Sequence, residues 1–116
     1  SMINKEPALV QRVVDATCSG WQHYMTDPAK GNELILKANE HGMTSEVLEY
    51  GAKELRALVM PDQMPLDQVG RMSLERWTTL VQQMEEIGIV PKGSVKPADC
   101  FTTEFLPKAA REASTQ

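Results

Sequence analysis

Apolar residues recur at three- and four-residue spacing along most of the chain, which is the period of an amphipathic helix. The stretches with this period are residues 8–25, 28–39, 45–60 and 73–88. No stretch alternates between apolar and polar residues as a half-buried strand would. The pattern therefore predicts an all-α chain of four main helices, with a short C-terminal helical turn that begins at Thr102 or Thr103.

Capping residues stand at the expected helix boundaries. Ser73 and either Thr44 or Ser45 precede two of the helices, where a hydroxyl can accept a hydrogen bond from a free backbone N–H. Asp27 precedes the second helix, where its carboxylate can accept a hydrogen bond of the same kind. Gly88 occupies a position where a left-handed C-terminal cap is needed. These signals predict where each helix begins and ends.

One apolar face per helix is expected to point toward the core. In the first two helices we expect it to contain Val10, Val13, Val14, Thr17, Trp21, Tyr24, Met25, Leu34, Ile35 and Ala38. In the last two we expect Val47, Leu48, Ala52, Leu55, Leu58, Val59, Trp77, Leu80, Val81, Met84 and Ile87. Trp21, Trp77, Phe101 and Phe105 are the predicted structural anchors because aromatic side chains bury the most area.

The chain length of 116 residues suits one domain. We expect a lead over residues 1–6, a single helical domain over 7–107 and a frayed tail over 108–116. Ser1 before Met2 resembles a residue left by a cloning vector, so the reading frame is expected to begin at Met2.

Composition excludes some functions. The net charge of −4 and the pI of about 5.1 argue against a protein that binds nucleic acid through its phosphates. Two cysteines, Cys18 and Cys100, do not form a disulfide framework, and we expect two separate thiols, although their separation would permit a bridge.

No motif predicts catalysis, and no catalytic residue, metal site or cofactor is assigned. The two histidines lack further ligands at matching spacing, and no glycine-rich phosphate loop occurs. Glu85 and Glu86 are expected on the outer face of their helix. Met60, Met64 and Met72 surround a proline-rich loop; copper(I) binding is conceivable, but packing of the loop is favoured. The chain is therefore not expected to be an enzyme.

The order of several blocks resembles the C-terminal part of the ABC-transporter periplasmic substrate-binding proteins of the nitrate, sulfonate, taurine and thiamine-pyrimidine-precursor type. The most particular block is Phe-Thr-Thr-Glu-Phe-Leu-Pro at 101–107, after Asp99 and Cys100. The other blocks are 7–17, 20–21, 27–29, 70–72, 76–77 and 86–90. The resemblance extends over most of the chain.

The resemblance implies a piece of a two-lobed receptor that captures a small nutrient and delivers it to an ABC permease. The matched part contributes helices to the outside of the first lobe, while the ligand-contacting residues lie upstream, so ligand-binding residues in this chain are unknown. The family is periplasmic; a frame that begins at Met2 has no signal peptide and predicts a cytoplasmic product.

Two hypotheses follow. The chain is a fragment of a solute-binding protein that is not ligand-competent alone, or it is a stand-alone helical interaction or oligomerisation module. In either case, helices that normally cover a sheet expose an apolar face, and self-association is expected.

Overall fold

The computed structural model describes residues 1–115, and every regular element in this range is helical. The α-helices are α1 (Met2–Lys5), α2 (Pro7–Thr26), α3 (Ala29–Lys37), α4 (Ser45–Val59), α5 (Leu74–Glu86) and α6 (Lys108–Ser114). Three 3₁₀ turns lie between them, at Pro61–Gln63, Leu66–Gln68 and Pro97–Asp99. The predicted all-α class and the four main helices, α2 to α5, are confirmed.

The predicted caps hold two of these helices at their beginnings. The Ser73 hydroxyl accepts a hydrogen bond from the Arg76 backbone N–H at 3.2 Å, and the Thr44 hydroxyl accepts one from Val47 at 3.4 Å. Asp27 accepts from the backbone N–H of Ala29 at 3.1 Å, so it begins α3 as expected. Gly88 ends the α5 segment with φ +76°, a conformation that a side chain disfavours.

The core is small and lies where the middle of α2 meets the segment after α4 and the C-terminal part of the chain. Cys18 and Met25 of α2 are buried, as are Leu106 and, completely, Ala110 of α6. The other buried apolar residues are Leu48, Ala52, Met64, Val69, Val81 and Phe105. The core therefore depends on residues that are far apart in sequence.

The tail differs from the prediction. Residues 108–114 form α6 instead of fraying, and α6 packs against the Leu66–Gln68 turn. The Ser114 hydroxyl accepts a hydrogen bond from the Met72 backbone N–H at 2.9 Å. The part of the tail at Gln116 lies outside the described residues. The short helical turn expected near Thr103 is a single turn, in which Leu106 N–H donates to the Thr103 carbonyl at 3.2 Å.

The predicted inward face of α3 is wrong. Leu34 is 67% exposed, and Ile35 and Ala38 are also exposed, whereas Asn32 is buried and Leu36 is half-buried. The reason is a hydrogen bond of 2.7 Å between the Tyr24 hydroxyl of α2 and the Asn32 side-chain oxygen. Because the Tyr24 hydroxyl satisfies the Asn32 side chain, this amide can be buried. The face of α3 that carries Asn32 then packs inward, and Leu34 and Ile35 face solvent.

Two acidic side chains on the helices, Glu33 of α3 and Glu85 of α5, make polar contacts. Lys37 and Glu33 form an exposed ion pair at 2.6 Å across one turn of α3. Glu85 does not simply face solvent, because its carboxylate accepts the Gly93 backbone N–H at 2.8 Å and it is half-buried. This bond ties α5 to the loop that follows it.

Candidate functional site

The predicted anchors divide into three that pack and one that does not. Trp77 of α5 stacks on Phe101, with ring centroids 5.5 Å apart and planes 5° from parallel. Phe105 is buried, and its carbonyl accepts a hydrogen bond from the Gln11 side chain at 2.8 Å. These contacts join α5, the 101–106 segment and α2.

Trp21 is not a core anchor, since it is 40% exposed to solvent. It contacts Tyr24 edge to face, with centroids 6.1 Å apart. The buried stripe of α2 runs through Cys18 and Met25, and Trp21 lies to one side of it. The sequence pattern was too wide to fit one buried face, and tertiary packing used only part of it.

Helix α2 therefore has a second apolar stripe that nothing in the described chain covers. Val13, Thr17 and Trp21 follow one another at four-residue spacing and are all exposed. Helix α4 repeats this arrangement. Its buried stripe contains Leu48 and Ala52, while Val47, Tyr50 and Leu58 are exposed on a second face that they share with Glu54.

The exposed stripes belong to an unusually open molecule. The accessible surface of 8790 Å² exceeds by roughly 2,500 Å² the value expected for a compact chain of 12.9 kDa. The radius of gyration of 16.8 Å compares with about 13 Å for a compact chain of this length. A helix whose apolar surface is wider than its buried stripe can pack against a further surface. The open surface is therefore the main candidate for function.

A groove of 740 Å³ lies between the end of α4 and the start of α5. Met64, Met72 and Trp77 are among its apolar residues, and Arg71 and Arg76 bring cationic groups. Sequence reasoning missed it because its walls come from three separated segments, 57–64, 70–77 and Ala113. The methionines around the proline-rich loop were the sequence signal that could have indicated the groove, since Met64 and Met72 line it.

A smaller hollow of 370 Å³ lies between α3 and α4. Its polar residues include Asp27, Glu33 and Glu49. Over residues 1–115, no group of three histidine, cysteine, aspartate or glutamate side chains is arranged to hold a metal ion. The hollow therefore contains acidic side chains that are not arranged to coordinate a metal ion.

The two cysteines are separate thiols in different environments. Cys18 is buried in α2, whereas Cys100 is exposed near Phe101. Burial raises the pKa of the Cys18 thiol above 9.0, and the nearby Asp15 carboxylate adds to the increase. Cys18 therefore acts as a small apolar core residue at neutral pH.

Comparison with known proteins identifies no relative: no protein-family model, no curated protein and no solved structure matches this chain. Within residues 1–115, none of the helices combines the length and the hydropathy that a membrane crossing requires.

Proposed function

We propose that this chain is a non-enzymatic helical assembly unit whose exposed apolar stripes close against another protein surface. The observation that supports this proposal is the excess of accessible surface over that of a compact chain, together with the exposed apolar residues beside the buried stripes of α2 and α4. A standard protein–protein interface buries about 800 Å² on each partner, so the excess is large enough for a substantial interface.

The partner surface depends on the context of the chain. If the resemblance to solute-binding proteins reflects descent, the stripes cover the rest of a receptor lobe in a nutrient-uptake system. When this chain is studied without the rest of such a lobe, its exposed stripes can contact the same stripes on a second copy. We therefore propose that the isolated chain self-associates through α2 and α4.

Sedimentation equilibrium tests the assembly proposal. We expect the chain to form dimers or larger species, and the double substitution Val47→Gln and Tyr50→Gln to weaken association at least tenfold because both side chains lose apolar contact area. Lys53→Gln, at another exposed position of α4, is the matched control and should leave association unchanged. A monomer at all concentrations would contradict the proposal.

Isothermal titration tests the second candidate, a solute receptor piece. We propose that the ligand-contacting residues lie outside this chain, so nitrate, taurine and a pyrimidine precursor should give no micromolar binding. Micromolar affinity for any of the three would show that the chain itself holds a nutrient site.

A further inference from the structure

The groove defined by Met64, Met72, Trp77, Arg71 and Arg76 brings apolar and cationic residues together. Its lining combines apolar side chains from the end of α4, the following loop and α5 with polar residues that include Arg71 and Arg76. Its volume of 740 Å³ lies within the range of about 300–1,000 Å³ that is typical of small-molecule sites.

The apolar wall is held in place by contacts on its outer side. Met64 is buried, and Trp77 is half-buried with its indole ring stacked on Phe101. Because this stack fixes the plane of the indole, little side-chain freedom remains to be lost when a ligand packs beside it. The groove therefore offers a preformed aromatic and thioether surface.

The two guanidinium groups have no carboxylate partner. Among residues 1–115, no aspartate or glutamate oxygen lies within 4.0 Å of the Arg71 or Arg76 side chain. Arg71 donates to the Gln68 side-chain oxygen at 3.3 Å, a neutral acceptor. Asp62 is the acidic residue among those that line the groove, so the groove is locally cationic in a chain of net charge −4.

We infer that this groove binds a small organic carboxylate with an apolar, preferably aromatic, body. The carboxylate would accept hydrogen bonds from Arg71 and Arg76, because guanidinium groups match the planar geometry of carboxylates. The apolar body would pack against Trp77 and Met64. This inference is argued from the groove's own residues and does not rest on the proposed assembly, although Leu58 of the exposed α4 stripe also lines the groove.

The test uses naphthalene-2-carboxylate as the probe and follows the two indole N–H signals of the ¹⁵N-labelled chain by NMR. We expect the Trp77 signal to shift on titration while the Trp21 signal stays in place. Naphthalene-2-carboxamide, which has the same shape without the charge, should bind at least tenfold more weakly. Equal affinity for the two probes, or a shift confined to Trp21, would overturn the inference.

Matched variants separate the groove from general electrostatics. Arg71→Gln with Arg76→Gln should weaken carboxylate binding at least tenfold. Arg12→Gln with Lys53→Gln makes the same change in net charge at exposed positions outside the groove and should change affinity less than twofold. An equal loss in both pairs would overturn the inference. Sedimentation of the same samples reports assembly independently of binding.

Discussion

Gly70 lies at the closest approach between the loop before α5 and helix α2. Its φ is +97°, and a Cβ atom at this position would lie 2.9 Å from the Cys18 sulfur. Cys18 is itself buried, so its sulfur has little free space into which to shift. The residue must therefore be glycine for two reasons, conformation and space.

We expect Gly70→Ala to lower the free energy of unfolding by about 2–3 kcal/mol, because it adds a steric clash to the cost of a positive φ. Gly88→Ala is the matched control, since Gly88 has φ +76° with no atom near the added Cβ, and should cost about 1 kcal/mol. Urea denaturation measures both. Equal costs would mean that the contact with Cys18 is unimportant.

The second prediction at this scale concerns the reactivity of the thiols. Burial raises the pKa of Cys18, so it is protonated and shielded at neutral pH, whereas Cys100 is exposed. Dithionitrobenzoate should label Cys100 quickly and Cys18 only as fast as the chain opens. Loss of the fast phase in Cys100→Ser would assign it, and two fast phases in the native chain would contradict the prediction.

The raised pKa of Cys18 also fixes the sign of a pH effect. The folded chain holds this proton more tightly than the unfolded chain, so its contribution to stability is complete below the unfolded-state pKa and is lost as pH rises through the higher folded-state value. The free energy of unfolding should fall above pH 9.0 more in the native chain than in Cys18→Ala.

At the scale of elements, the junction between α2 and α3 depends on one polar pair. Tyr24 and Asn32 hydrogen-bond at 2.7 Å, and Asn32 is the buried polar residue of the core. The Tyr24 ring also lies against Gly31, where an added Cβ would approach within 2.8 Å. The close approach of the two helices thus requires a glycine, a tyrosine and an amide together.

We expect Tyr24→Phe to destabilise the chain by about 1–3 kcal/mol, because it keeps the ring but leaves the Asn32 oxygen without its partner. Tyr50→Phe is the matched control: Tyr50 is 67% exposed, and the change should stay within about 0.5 kcal/mol. Chemical denaturation compares the two. A neutral Tyr24→Phe would show that water satisfies Asn32 equally well.

At the scale of the whole molecule, α6 contributes to the same core as α2 and the loop before α5. Ala110 is fully buried, and α6 packs on the Leu66–Gln68 turn. The hydrogen bond from Met72 N–H to Ser114 adds a polar contact between the same segments. The C-terminal segment therefore belongs to the folded unit.

We expect Ala110→Leu to lower the free energy of unfolding by about 1–3 kcal/mol, since a fully buried position has no room for a larger side chain. Ala16→Leu, at an exposed position of α2, should change it by less than about 0.5 kcal/mol. Thermal or urea unfolding distinguishes them. If Ala110→Leu were neutral, α6 would not be packed as described.

Local signals in the sequence predicted the helices well. Ser73, Thr44 and Gly88 act within a few residues of the backbone groups they satisfy, and the helical period is recognised within a window of about 11–18 residues. Trp77 and Phe105 were also correctly predicted to pack, Trp77 against Phe101 and Phe105 in the core.

Choices between competing faces could not be read from the sequence. Leu34 and Trp21 are more apolar than Asn32, yet Asn32 is buried because Tyr24 of another helix provides its hydrogen bond. The tail after Pro107 was expected to fray, but Ala110 is fully buried and α6 packs on the distant Leu66–Gln68 turn. The groove of Arg71, Arg76 and Trp77 is missed for the same reason.

The sequence by itself determined the all-α class, the helix boundaries and the caps, since these depend on hydrogen bonds between residues less than two turns apart. Only the tertiary structure decided which apolar stripe of α2 and α4 is buried, that α6 completes the core, and where a cationic groove forms. Those outcomes depend on contacts between residues distant in sequence, and such contacts are set by how whole helices pack against one another.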